Sequence, residues 1–149
     1  MENAITDLLD AIIPPLDSLV KDMRLWMSIG LILGPILFIG MGLFYLYLAP
    51  PEANHKLGYR TYFGMGSVAA WKFTQKLAGM VWGGVGILLE LVAIIGCIIM
   101  IAQSPADASS TAFVIAVIEA NVAFFAFLAV EIVVLIRYDI NGSRRVKKK

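Results

Sequence analysis

The chain has 149 residues, of which 60% are hydrophobic and 15% charged, with a mean hydropathy of +0.83. That composition excludes an ordinary soluble domain and places the chain among membrane proteins. The formal net charge of +1 conceals an acidic beginning and a basic end, and the single cysteine, Cys97, excludes a disulfide framework or a thiolate metal cluster.

Residues 1–24 carry Glu2, Asp7, Asp10, Asp17 and Asp22 against Lys21 and Arg24. Ile5, Leu8, Leu9, Ile12, Leu16, Leu19, Val20 and Met23 recur at helical spacing among them, which predicts an acidic amphipathic segment at the interface. Pro14-Pro15 should split it into two short helices with a bend. The segment lacks the basic start of a secretory signal and is expected to stay uncleaved. With so few cations, its apolar face must lie in the interface or pack on neighbouring spans; a lid or partner-docking element is the alternative.

Three apolar runs follow, at 25–49, 77–102 and 112–136, each reaching the roughly 20 residues that cross a bilayer as a helix. The predicted fold is an all-α membrane protein: a transmembrane domain over 25–136, preceded by the amphipathic segment and followed by a basic tail at 137–149. The first connector, 54–76, holds Lys56, Arg60, Lys72 and Lys76, whereas the second, QSPADASST, holds no Lys or Arg and reads as a short turn. The positive-inside rule then places 54–76 and the RRVKKK end in the cytoplasm, with the amino terminus and second connector outside, N-out/C-in.

Within the spans, Gly30 and Gly34 form G-x-x-x-G ahead of Pro35, Gly79, Gly83 and Gly86 share a face, and Ala112, Ala116 and Ala120 share another. Small residues mark close helix packing, and what the bundle leaves uncovered suits a homo-oligomer or a larger membrane complex. Glu90 lies at the middle of the second run, Glu119 in the outer half of the third with Asn121 nearby, and Glu131 near its inner end. A mid-span acid costs roughly 2.5–3.5 kcal/mol on insertion scales, so Glu90 should face protein or water, on the face of Gly79, Gly83 and Gly86. An antiparallel third helix would bring Glu119 within a turn or two of Glu90, where the two would perturb each other's ionisation. Such acids serve as a proton or cation relay, as a polar lock for a ligand, or as hydrogen-bonding partners between helices. Glu131 is shallow enough to reach Arg137 or the headgroups.

The stretch 54–79 is more than a charged spacer. Gly58, Gly64 and Gly66 indicate tight turns, and Ser67 is placed to cap a helix running into the second span. Trp71 is expected near the headgroups, and Arg60 offers a fork suited to a carboxylate or phosphate. An interfacial anchor and an anion site both fit. The pattern N-x-x-x-G-Y-R-T, with Ser67 following and Trp71 eleven residues after Arg60, resembles the SdpI family, bacterial membrane proteins named for immunity to the sporulation-delaying toxin. The matching positions are Asn54, Gly58, Arg60, Thr61, Ser67, Trp71 and Gln75. The resemblance implies a multi-pass protein of the bacterial cytoplasmic membrane, with the motif on a cytoplasmic segment leading into a helix. It also implies immunity to a secreted toxin, which the founding member combines with capture of a cytoplasmic repressor.

No catalytic constellation is visible. His55 is the single histidine, the thiol falls inside a span, and no Ser-His-Asp, H-x-E or P-loop spacing occurs, so a non-enzyme without metal or cofactor is expected. The expected function is protection against a membrane-active toxin or peptide. The alternatives are an accessory subunit of a larger membrane complex and a small ion-coupled transporter module using Glu90 and Glu119. The expected partners are the lipid bilayer, a peptide toxin or larger complex and a second copy of the chain. Beside a span, the RRVKKK end needs only lipid headgroups and not nucleic acid.

Overall fold

A computed structural model describes residues 16–53 and 55–145; residues 1–15, Asn54 and 146–149 lie outside the described residues, and with them the bend expected at Pro14-Pro15. Helix α1 spans Leu16–Leu43 and continues as a π-helical turn, Phe44–Leu48; α2 spans Val68–Ile101 and α3 Pro105–Arg137. The segments Met23–Leu48, Val68–Ile101 and Pro105–Arg137 are each long and apolar enough to cross a membrane. The chain is therefore an all-helical, multi-pass membrane protein. Its outer faces agree, since Leu88, Ile98 and Ile136 are 65%, 62% and 64% exposed and suit lipid rather than water.

Both later helices start ahead of their apolar runs, and the caps explain why. The Ser67 hydroxyl accepts the Ala70 N–H at 3.1 Å, so α2 begins at Val68 and carries Lys72, Gln75 and Lys76 before its apolar stretch. At α3 the Ser104 hydroxyl accepts the Asp107 N–H at 3.2 Å. Pro105 takes the first helical position, where a missing N–H is harmless, and Asp107 sits at the positive end of the helix. Most of QSPADASST, expected as a turn, is thus helix, and Ala102, Gln103 and Ser104 alone join α2 to α3.

Close backbone approach sets the bundle. A Cβ on Gly42 would stand 2.5 Å from the Gly83 Cα and 2.9 Å from the Gly79 carbonyl, and one on Gly86 would stand 2.7 Å from the Ile39 nitrogen. The glycine face of α2 therefore lies directly on α1, as its spacing predicts. The partner face on α1 differs from expectation. Gly30 meets nothing and Gly34 meets only the Glu119 carboxyl, so the expected G-x-x-x-G is not the seam, and Gly42 takes that place. Between α2 and α3, Gly96 receives the Ile115 side chain.

Two apolar cores result. At the end nearer the α2–α3 link, Leu31, Ala93, Met100, Ala108, Ala112 and Ile115 pack together, and the Arg24 guanidinium donates to the Gln103 carbonyl at 2.6 Å, tying α1 to that link. At the end nearer the 49–67 loop, Tyr59, Ala78, Trp82, Val130 and Val134 pack together. In register, Gly34, Glu90 and Glu119 fall between the two cores.

Candidate functional site

The motif residues converge on the start of α2. Gly58 has φ +105°, and a Cβ there would stand 2.6 Å from the Trp71 ring, so only glycine lets the loop lie flat on the indole. Trp71 is fully buried, and its indole N–H donates to the Pro50 carbonyl at 2.7 Å, clasping the other side of the loop. The tryptophan, expected near the headgroups, is the floor on which the loop rests. Gln75, one turn later and 4% exposed, accepts the Tyr59 N–H at 2.8 Å and donates to the Tyr59 carbonyl at 2.7 Å. A single amide thus satisfies both backbone groups of one loop residue, as a strand partner would. The buried Thr61 hydroxyl accepts the Gly64 N–H at 2.7 Å, and Gly64 sits so tightly against Thr74 and Thr61 that no side chain fits.

The chain's end locks this unit. Asp139 accepts the N–H groups of Asn141 and Ser143 at 3.0 and 2.7 Å, forming a turn whose Gly142, at φ +70°, lies back to back with Gly66. The Ser67 hydroxyl, while capping α2, donates to the Gly142 carbonyl at 2.7 Å. Residues 138–145, read from sequence as part of a basic tail, are a folded turn docked on the motif. Arg145 lies over Phe63, 5.9 Å from its ring centroid.

Tyr59, inside the motif yet not singled out by sequence, plugs the bundle. It is 7% exposed, and its ring lies edge-on to Tyr45 of the π-helical turn at 5.5 Å and tilted to Phe127 of α3 at 6.4 Å. Its hydroxyl and the Trp82 indole N–H are both buried without a partner of proper hydrogen-bond geometry among the described residues, although the two groups face each other. Burial, then the nearby Glu131 charge and Tyr45, hold the Tyr59 phenol well above its usual pKa. Glu131 bears on Tyr59 rather than on Arg137, which lies over the Phe73 ring 4.3 Å from its centroid.

Arg60 is turned away from this unit. It is exposed and donates to the His55 carbonyl at 2.5 Å. Gly58, Thr61, Ser67, Trp71 and Gln75 are thus brought together, Arg60 stands outside them, and Asn54 lies outside the described residues.

The intramembrane acids form the second feature. Glu90 stands one helical turn beyond Gly86, toward α1, and Glu119 reaches the same layer from α3, close enough for their charges to interact. The Glu119 carboxyl packs 3.4 Å from the position a Gly34 Cβ would take, and one oxygen of each acid is buried with no hydrogen-bond partner among the described residues. Asn121 does not join them: it is exposed and donates to the Val117 carbonyl of its own helix at 2.7 Å. Between α1 and α3 a cleft of about 350 Å³ opens sideways, lined by Met27, Gly30, Leu31, Ala112, Phe113 and Ala116, with Glu119 at one end. Gly30, which packs on nothing, keeps this cleft open. Pro35 also leaves the Leu31 carbonyl on the same wall without its helical donor. Among the described residues no group of three metal-ligating side chains occurs.

No family model, curated protein or solved structure matches this chain.

Proposed function

We propose that the chain is a non-enzymatic protein of SdpI type in the bacterial cytoplasmic membrane, oriented N-out/C-in, which protects its cell by binding a membrane-active peptide in the cleft between α1 and α3. The observation that carries this is the cleft itself: a lateral, apolar opening at membrane depth with the Glu119 carboxyl at one end. An apolar peptide segment fills such a space, and a carboxyl at that depth receives its cationic or hydrogen-bonding group. The motif residues behind the family likeness have a structural part as well. Of the motif's positions, Gly58, Trp71 and Gln75 share the clasp, with the Trp71 ring under Gly58 and the Gln75 amide on Tyr59, while Arg60 stands outside it. Its role in this proposal is to close the cytoplasmic end and hold α1 against α2.

Expression in a toxin-sensitive host tests this directly. The chain should raise survival against a co-encoded or sibling peptide toxin, and Ala116→Trp, which fills the cleft from an exposed position, should abolish the gain at unchanged protein level. Equal survival with and without the chain, against every such toxin, would count decisively against it. Thiol labelling from outside the cell, in a Cys97→Ser background, should reach Ala106→Cys and not Tyr62→Cys.

One observation favours a second function, a small ion-coupled module: the unpartnered oxygens of both Glu90 and Glu119 in one layer. Reconstituted protein would then show a pH-dependent flux that Glu90→Gln removes, and absence of flux at every pH would eliminate it.

A further inference from the structure

We propose that the groove between the π-helical turn of α1 and the first turns of α2 is a binding site for an anionic phospholipid, with Lys72 and Lys76 on its phosphate and an acyl chain along Leu46. The groove measures about 370 Å³ and is lined by Leu46, Tyr47, Pro51, Lys72, Gln75 and Lys76 among others. Lys72 and Lys76 are one helical turn apart on one face, a rise of about 6 Å. Both are exposed, and within the described residues neither ammonium has a hydrogen-bonding or ion-pair partner.

Two of the other polar side chains and carbonyls at the groove are already committed. The Pro50 carbonyl receives the Trp71 indole N–H, both ends of the Gln75 amide hold Tyr59, and Pro50 and Pro51 have no N–H to offer. Lys72 and Lys76 carry the charge of the lining, and they call for an anion. A topological signal needs only charge near the span. Two unpaired ammonium groups converging on one groove exceed that need.

Depth identifies the anion as a lipid phosphate. The apolar run of α2 begins at Leu77, so Lys76 lies at the edge of the hydrocarbon and Lys72 one turn out, both within the headgroup layer. The groove also exposes Leu46 and Tyr47, at 37% and 78%, an apolar wall that a soluble phosphate would not use but an acyl chain covers. Gly79 makes this wall possible, because Leu46 packs over it with 2.5 Å between the Leu46 Cγ and the place of a Cβ.

Native mass spectrometry of the full chain in a neutral maltoside detergent tests the site, with dioleoyl phosphatidylglycerol and dioleoyl phosphatidylcholine titrated separately. Phosphatidylglycerol should bind more tightly than phosphatidylcholine. The double variant Lys72→Gln/Lys76→Gln should weaken it by roughly tenfold or more, following the per-lysine attraction of anionic headgroups. Lys148→Gln/Lys149→Gln, which removes the same charge from the chain's end, should change binding less than about twofold. An unchanged thermal transition of each variant verifies folding. Equal binding of the two lipids, wild-type affinity in the Lys72/Lys76 variant, or an equal loss in the Lys148/Lys149 variant would each overturn the proposal. Displacement of the lipid by millimolar inorganic phosphate would also overturn it, since the acyl chain would then contribute nothing.

Discussion

Replacing Gln75 by leucine isolates the clasp that holds the loop to α2. The side chain is 4% exposed, and its amide is the partner of both the N–H and the carbonyl of Tyr59, at 2.8 and 2.7 Å. Leucine keeps most of the volume and removes both partners. Each buried backbone group left unpaired costs roughly 1–3 kcal/mol, so a loop that stayed docked would lose about 2–6 kcal/mol. The loop has a way out, because undocking returns both groups to water. The loss is therefore capped by the free energy that docks residues 55–66, and the expected outcome is an open loop on an intact bundle. Hydrogen exchange in detergent should show amide protection across residues 58–65 falling by about 30-fold or more, the factor that corresponds to about 2 kcal/mol. Trypsin should cut at the exposed Lys56 and Arg60 far faster, while amides in the middle of α2 keep their protection. Unchanged protection at 58–65 would refute the clasp, and parallel loss throughout α2 would refute the separation of loop from bundle. Gln75→Glu should resemble leucine, because a carboxylate sets an oxygen against the Tyr59 carbonyl.

Gly58→Ala places a Cβ at φ +105° and 2.6 Å from the Trp71 ring. Backbone strain of roughly 1–2 kcal/mol plus overpacking of roughly 1–3 kcal/mol should lower the thermal midpoint and red-shift the tryptophan emission. Gly42→Leu should separate α1 from α2, since no side chain fits against Gly83 and Gly79; circular dichroism would stay helical while cysteine crosslinking between the two helices fails. For Tyr59 the folded-state phenol lies above its ordinary pKa of 10.0, chiefly through burial. A raised pKa favours the protonated form in the folded state, so this contribution is complete below about pH 10 and fades as pH rises toward the folded value. The stability of the wild type relative to Tyr59→Phe should accordingly be flat from about pH 7 to 9 and fall above about pH 10. Asp139→Ala removes the acceptor for two turn N–H groups, and limited proteolysis after Arg144 and Arg145 should accelerate, by a factor reflecting about 1 kcal/mol.

The arrangement divides the molecule by task. Its loop end is closed by backbone-to-side-chain hydrogen bonds and aromatic packing, which make a fixed platform of Trp71, Gln75, Tyr59 and the Asp139 turn. In its middle, Gly30 and Gly34 supply no bulk, Pro35 interrupts the hydrogen-bond ladder of α1, and Glu90 and Glu119 share one layer. In the proposed function, the layer of Glu90 and Glu119 beside this platform is the part that receives the ligand.

Several features were dictated by the residues before any folding was known. Unbroken apolar runs of about 20 residues or more call for three helices, because in a bilayer a helix satisfies its backbone within the segment itself. Ser67 had to cap α2, and Gly79, Gly83 and Gly86, recurring on one face, had to meet another helix closely. Local rules sufficed there. They failed where a residue's part depends on something distant in the chain. Nothing near Gly42 marks it as the partner of Gly83, and Gly30 carries the same local pattern yet faces an empty cleft. Composition made QSPADASST a turn, although Ser104, Pro105 and Asp107 together form a helix start. Trp71 has the amphipathic ring of an interfacial anchor, and only the loop folded over it turns it into a buried floor. The meeting of Ser67 with Gly142, 75 residues apart, was likewise beyond sequence, since a serine hydroxyl advertises a cap but not the second bond it can still donate. The sequence named the three helices; the tertiary structure decided which polar residues lie together, because partner choice depends on the register in which three helices and one loop pack.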